Sequence, residues 1–234
     1  MIKLYAFKSQ WGLSDISAFV VKVEMYLRMA GIPYTMQQYP FLELGKAPKG
    51  KLPFIDDGDK RIADSNFIIE YLKRTYGDPL DGHLSAQEKA IAHAMRRMMD
   101  ENLYWVIIQI RWRLDENFKP FMDEFIDDLE NKEAIAPVFP MVREAVVQSM
   151  WAHGMGRHSI DEVWEIGKAD ITAMADLLAD KPYFLGDKPT SLDASAYAFL
   201  MGVRTRFESP VSKHIDAQPN LVSYCKRIAD RYGA

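Results

Sequence analysis

A chain of 234 residues can form one large domain or two small ones, and 48% hydrophobic with 26% charged residues is the balance of a globular protein, not a disordered one. A net charge of −4 with no long basic run argues against nucleic acid and anionic membrane as partners, and no apolar run approaches the roughly 20 residues that cross a bilayer. Cys225 is the sole cysteine, which excludes an internal disulfide, a Cys-x-x-Cys redox pair and a cysteine-rich metal site, and makes a reducing cytoplasm the expected location.

Ile2–Phe7 alternates and reads as a strand, not as the start of a signal peptide. Lys8–Ile16 is a polar loop. From Ser17 to Ala30 apolar residues recur at helical spacing (Phe19, Val20, Val23, Tyr26, Leu27), and Gly31-Ile32-Pro33 stops the helix. Tyr34–Tyr39 is a second strand, followed by a Gly/Pro/Lys-rich connection over 41–51. Leu52-Pro53-Phe54-Ile55 is a short apolar strand with proline at its start, where a missing N–H is tolerated. Asp57-Gly58 signals a hairpin, Arg61-Ile62-Ala63 returns, and Asp64-Ser65 stands directly before a helix ending near Tyr76-Gly77. Strand, helix, strand, hairpin, helix is a small α/β layer in which the first two strands run parallel.

Residues 78–84 read as a linker, and the chain beyond them as helix. Ser85-x-x-Glu88 can cap a long helix reaching about Leu114, with Tyr104, Trp105, Ile108 and Trp112 along it. Phe118–Lys132 is mixed and acidic. Further helices are expected over 140–152, 160–178 and 221–232. His153 and His158 bracket a glycine-rich turn, and their spacing is not that of a metal site.

The chemistry concentrates at Asp64-Ser65. A helix N-terminus offers free N–H groups and partial positive charge to a carboxylate, while the Asp64 carboxylate suits an ammonium. Together they would grip the end of an amino acid, although the same residues can also simply cap the helix.

Four segments in this order resemble the glutathione S-transferase superfamily: strand-helix-strand, Lys51-Leu52-Pro53, Asp64-Ser65, and Gly186-x-x-Pro189-Thr190-Ser191-Leu192-Asp193 opening a helix in an all-helical second half. The resemblance covers nearly the whole chain. It implies an α/β thioredoxin-like N-terminal domain (1–77) that binds glutathione, and an all-α C-terminal domain (85–234). Trp11-Gly12-Leu13-Ser14-Asp15-Ile16-Ser17, then Lys22-Val23-Glu24, looks like the failed-axon-connections and metaxin-like branch, which carries a longer loop after the first strand.

By resemblance, Leu52 pairs its backbone with the cysteinyl part of glutathione ahead of a cis Pro53, Asp64 and Ser65 take the γ-glutamyl ammonium and carboxylate, and Lys51 approaches the glycine carboxylate. Ser17 begins the first helix, where serine- and cysteine-type transferases place the group that activates the thiol. Ala18 stands where a proline often follows. Ser14 or Trp11 of the inserted loop, and Tyr5 at the end of the first strand, are the alternatives. Serine at 17 favours conjugation over disulfide exchange. A small electrophile would sit between the domains, against Tyr104, Trp105, Ile108 and Trp112, although their helical spacing by itself points first to a core, with one or two of them lining a pocket. No metal is implied, and a homodimer is. The branch also contains members not known chiefly as enzymes, so a glutathione-binding or scaffold protein is the second reading, and a glutathione-dependent reductase or dehalogenase the third.

Overall fold

The structure is a computed structural model that describes residues 1–10, 12–127, 133 and 136–233. Four strands form one mixed sheet in the order β2-β1-β3-β4. β1 (Ile2–Ala6) runs parallel to β2 (Tyr34–Gln38), with Ile2 opposite Tyr34, and antiparallel to β3 (Phe54–Asp57), with Leu4 opposite Ile55. β4 (Lys60–Ala63) completes the hairpin. A parallel pair needs a crossover, and α1 (Ala18–Ala30) supplies it. Gly31 ends that helix at φ 67°, a left-handed conformation that costs glycine nothing, and the Ile32 N–H reaches the Leu27 carbonyl at 2.9 Å. Pro53 lies just outside β3, and the connection over 41–51 winds into two 3₁₀ turns, Phe41–Lys46 and Pro48–Gly50.

α2 (Ser65–Tyr76) follows the hairpin. α3 (Ala86–Met98) begins with the expected box: the Ser85 N–H donates to Glu88 at 2.8 Å and the Ser85 hydroxyl accepts the Glu88 N–H. The long helix expected from there to Leu114 is present as a rod, but its winding loosens twice. π-helical turns at Met99–Leu103 and Gln109–Arg113 flank α4 (Tyr104–Ile108). Each π turn takes in an extra residue and rotates the face that follows. The first carries Asp100 to a buried partner, and the second buries Arg111.

α5 (Asp115–Asp127), α6 (Phe139–His153), α7 (Ile160–Leu178), α8 (Ser191–Val203), α9 (Pro210–Asp216) and α10 (Pro219–Tyr232) complete the helical half. A seven-residue helix such as α9 is too short to show periodicity, and only its Ser209-Pro210 start could have signalled it. The linker read over 78–84 is tightly held: Asp81 accepts from Lys73 at 2.7 Å and from the Ser191 N–H at 2.8 Å, tying α2 to α8.

α1 packs against α2 and, across the two halves, against α8, so that Val20–Leu27 are all buried. α8 is anchored by Asp193. Its carboxylate accepts from the Thr190 N–H at 2.7 Å, the Thr190 hydroxyl at 2.8 Å, the Phe184 N–H at 3.0 Å and the Tyr224 hydroxyl at 3.1 Å. Burial raises the Asp193 pKa against the pull of these donors. Asp193→Ala leaves buried donors unanswered and removes a helix cap, and is expected to cost about 2 kcal/mol. Thermal denaturation should show a midpoint lowered by roughly 4–8 °C; an unchanged midpoint would contradict this anchoring role.

Candidate active site

A cleft of about 590 Å³ lies where the sheet-bearing half meets the rod, within the range of small-molecule sites. Its floor is local to the first 66 residues: Ser17 just ahead of α1 and Phe19 within it, Lys51, Leu52 and Pro53 ahead of β3, and Asp64, Ser65 and Asn66 at the start of α2. Its wall is the rod, presenting Asp100, Tyr104, Trp105, Ile108, Arg111 and Trp112. Phe41 stacks on Phe139 at 5.2 Å between centroids, carrying the rim from the 3₁₀ connection to α6.

Asp64 occupies φ 78°, a conformation that non-glycine residues avoid and that typically costs about 1–3 kcal/mol. One carboxylate oxygen accepts the Asn66 N–H at 3.0 Å and the Phe67 N–H at 3.4 Å, so the side chain caps α2 while lining the cleft. Ser65 is buried beneath it and begins the helix. The Leu52–Pro53 peptide bond is cis. Lys51 is exposed at the edge of the cleft.

Ser17 is the N-cap of α1, but its side chain makes no capping hydrogen bond; its carbonyl accepts the Val20 and Val21 N–H groups instead. The hydroxyl is therefore not consumed by the helix. The sequence did not flag what holds it there. Asp15, fully buried, accepts the Phe7 N–H at 2.5 Å through one oxygen and the Ser17 N–H at 2.6 Å through the other, cinching the inserted loop at both ends. Burial pushes the Asp15 carboxyl up to about 7, against these two N–H groups and the nearby Arg111. Arg111 donates to the Ile16 carbonyl at 2.6 Å and the Gly202 carbonyl at 2.9 Å, and burial lowers its pKa to about 10.

Two alternatives to Ser17 fall elsewhere. Ser14 lines a different cavity, bounded by the inserted loop, α1 and β2. Tyr5 does not line the cleft: its hydroxyl donates to Asp56 at 2.8 Å and its ring stacks on Phe54 at 4.2 Å. Burial and the Asp56 carboxylate raise its pKa. Trp11 lies outside the described residues. On the rod, Tyr104 packs on Phe19 at 4.9 Å and Trp105 stacks on the His153 ring at 4.5 Å, while Trp112 packs edge-on to Phe121. All four aromatic and aliphatic residues expected at an electrophile pocket line the cleft; Trp112 is also part of the packing around α5. Among the described residues, no cluster of three or more His, Cys, Asp or Glu is poised to hold a metal ion.

The floor is further braced by a buried cation. Lys22 of α1 donates to Asp100 of the rod at 2.9 Å and to Asn66 of α2 at 2.9 Å. The available sequence signal was a lysine set among Val20, Val21 and Val23.

The model of the glutathione S-transferase N-terminal domain matches residues 18–118, and that of the glutathione S-transferase C-terminal domain matches residues 167–228. An isoprene-epoxide glutathione S-transferase of Rhodococcus sp. (strain AD45) is 39% identical over 99% of this chain and 99% of its own length. Failed axon connections of Drosophila melanogaster is 30% identical over 99% of this chain, which spans 58% of that longer protein. Among solved structures, a beta-etherase from Sphingobium superposes with a TM-score of 0.68 at 16% identity, covering 97% of this chain and 94% of its own, a likeness of fold.

Proposed function

The chain belongs to the glutathione S-transferase family, and from that membership we propose that it binds glutathione in the cleft, ionises the thiol and adds the thiolate to small electrophiles, epoxides first among them. In this reading residues 1–77 grip the tripeptide and residues 85–234 supply the electrophile wall. Asp64 meets the γ-glutamyl ammonium, the Ser65 end of α2 takes its carboxylate, Leu52 pairs with the cysteinyl backbone, and Lys51 approaches the glycine carboxylate. The Ser17 hydroxyl donates to the thiolate. A thiol of pKa about 8.5 is mostly protonated at neutral pH, so a donor that favours the anion raises the reactive fraction. The thiolate attacks an epoxide carbon; a C–S bond forms as C–O breaks, and the alkoxide takes a proton from water.

The observation that carries this reading is the joining of two surfaces in one cleft: the Ser17, Pro53 and Asp64 floor, and the Tyr104, Trp105 and Ile108 wall. Calorimetric titration with glutathione, paired with a conjugation assay on a panel of epoxides and aryl halides, tests it. Saturable binding with turnover of at least one electrophile is expected. Binding without turnover would favour the second reading, a non-catalytic glutathione-binding or scaffold protein, which the 30% identity to Failed axon connections supports. No binding would remove both. Disulfide exchange is disfavoured, because Ser17 cannot form a mixed disulfide with glutathione.

The proposal includes a homodimer with a closed two-fold interface and residence in the cytoplasm, where glutathione keeps thiols reduced. Light scattering at micromolar concentration should give twice the 26.9 kDa of one chain; a monomer would remove the dimer. No described helix is long and apolar enough to cross a membrane.

A further inference from the structure

Three carboxylates line the cleft: Asp64, Asp100 and Glu101. Glu101 is ion-paired to Arg97, one turn earlier on the rod. Asp100 is ion-paired to Lys22. Asp64 makes no ion pair with any described residue and is met only by the N–H groups it caps. One carboxylate of the three is thus left with its charge uncompensated, and it stands at the N-terminus of α2.

The compensation of Asp100 is built with care in the fold. Lys22 is 0% exposed, and its ammonium has three acceptors for three protons: Asp100 Oδ1 at 3.0 Å, Asp100 Oδ2 at 2.9 Å and Asn66 Oδ1 at 2.9 Å. The Asn66 amide donates back to Asp100 at 2.8 Å, closing a triangle over α1, α2 and the rod. Phe19 covers the ammonium at 5.8 Å from its ring centroid; Arg96 and Asp64 act on it at longer range. Burial lowers the Lys22 pKa and Asp100 pulls it back. Asn66 is also the residue whose N–H donates to Asp64.

We propose that Lys22 is a positioning residue that sets the charge of the head-group pocket: it cancels Asp100, so that Asp64 alone answers the ammonium of glutathione, and through Asn66 it fixes the helix end that takes the carboxylate. This rests on the glutathione reading above. One carboxylate without an ion pair matches one ammonium. Two would draw any cation and repel the neighbouring ligand carboxylate, and none would lose the ammonium. Inside a cleft of low polarity such a difference of one charge is felt strongly.

The role separates from a merely structural brace by the sign of its effects. The probes are glutathione and glutaryl-cysteinyl-glycine, which is glutathione without its amino group; the readout is the ratio of their dissociation constants by calorimetry. Asp100→Asn keeps the shape but leaves the Lys22 charge uncancelled, and should lower the preference for the amino group about tenfold. Lys22→Met leaves a second bare carboxylate and should raise it severalfold. The pair Lys22→Met with Asp100→Leu removes both charges at similar volume, is expected to fold even where the single lysine variant does not, and should return the ratio to within about twofold of wild type. A brace would shift both ligands alike in every variant. Wild-type protein that fails to bind glutathione overturns the functional reading; wild type that binds, with the ratio unmoved in Asp100→Asn, overturns the charge-balancing role alone.

Discussion

Ser17→Ala is expected to slow conjugation at neutral pH by roughly 10²-fold while leaving glutathione affinity nearly intact, the usual scale for removing one donor to a reacting anion. The hydroxyl lines the cleft at the start of α1 and makes no capping hydrogen bond, so its loss should not unravel the helix. The expected cause is a raised pKa of the bound thiol, at about 1.4 kcal/mol per unit. The sign follows: less thiolate at neutral pH, and partial recovery of rate as pH rises. Thiolate absorbance titrated against pH in wild type, Ser17→Ala, Ser14→Ala and Tyr5→Phe decides the matter. Only the Ser17→Ala curve should move to higher pH. Overlay of that curve on wild type, with movement of another, transfers the role to that residue.

Asp64→Ala is expected to weaken glutathione binding by about 3–5 kcal/mol, by analogy with a buried ion pair that loses one partner. Two effects are mixed in this variant, because the carboxylate also caps α2, which is worth about 1 kcal/mol of stability. Asp64→Asn separates them. Asparagine is an equally good cap, so the melting midpoint should hold while affinity still falls for want of charge. Glutathione affinity equal to wild type in both variants would mean that Asp64 only caps.

The pieces of the site that sit close together in sequence were legible there. Asp64 and Ser65 stand at a helix start, and a helix end advertises its chemistry by position alone. The same holds for Ser17, for Pro53 ahead of its strand, and for the box at Asp193, since turns, caps and strand starts depend on neighbours within a few residues. The aromatic run from Tyr104 to Trp112 was equally visible but ambiguous, because helical spacing repeats whether the covered face meets a core or a cavity. Lys22, Asn66, Asp100 and Arg111 went unassigned for a different reason. Each acts through a partner remote in the chain: Lys22 and Asp100 are 78 residues apart, and Arg111 lies 95 from the Ile16 carbonyl it holds. The π turns that bring Asp100 and Arg111 into place left no signal in the helical spacing of the sequence.

By itself, then, the sequence determined the order of the elements in the first half, the parallel first pair with its returning hairpin and the all-helical second half, which follow from periodicity, capping and turn chemistry acting over a few residues; the family was legible only through the resemblance of four segments. Only the tertiary structure decided that the Ser17 hydroxyl is left uncommitted by its helix, that Ser14 and Tyr5 face elsewhere, and that of three cleft carboxylates Asp100 and Glu101 are ion-paired while Asp64 is met by backbone N–H groups. Those outcomes depend on which side chains meet after distant segments pack, and burial makes an unpaired charge costly enough that packing must settle each partner.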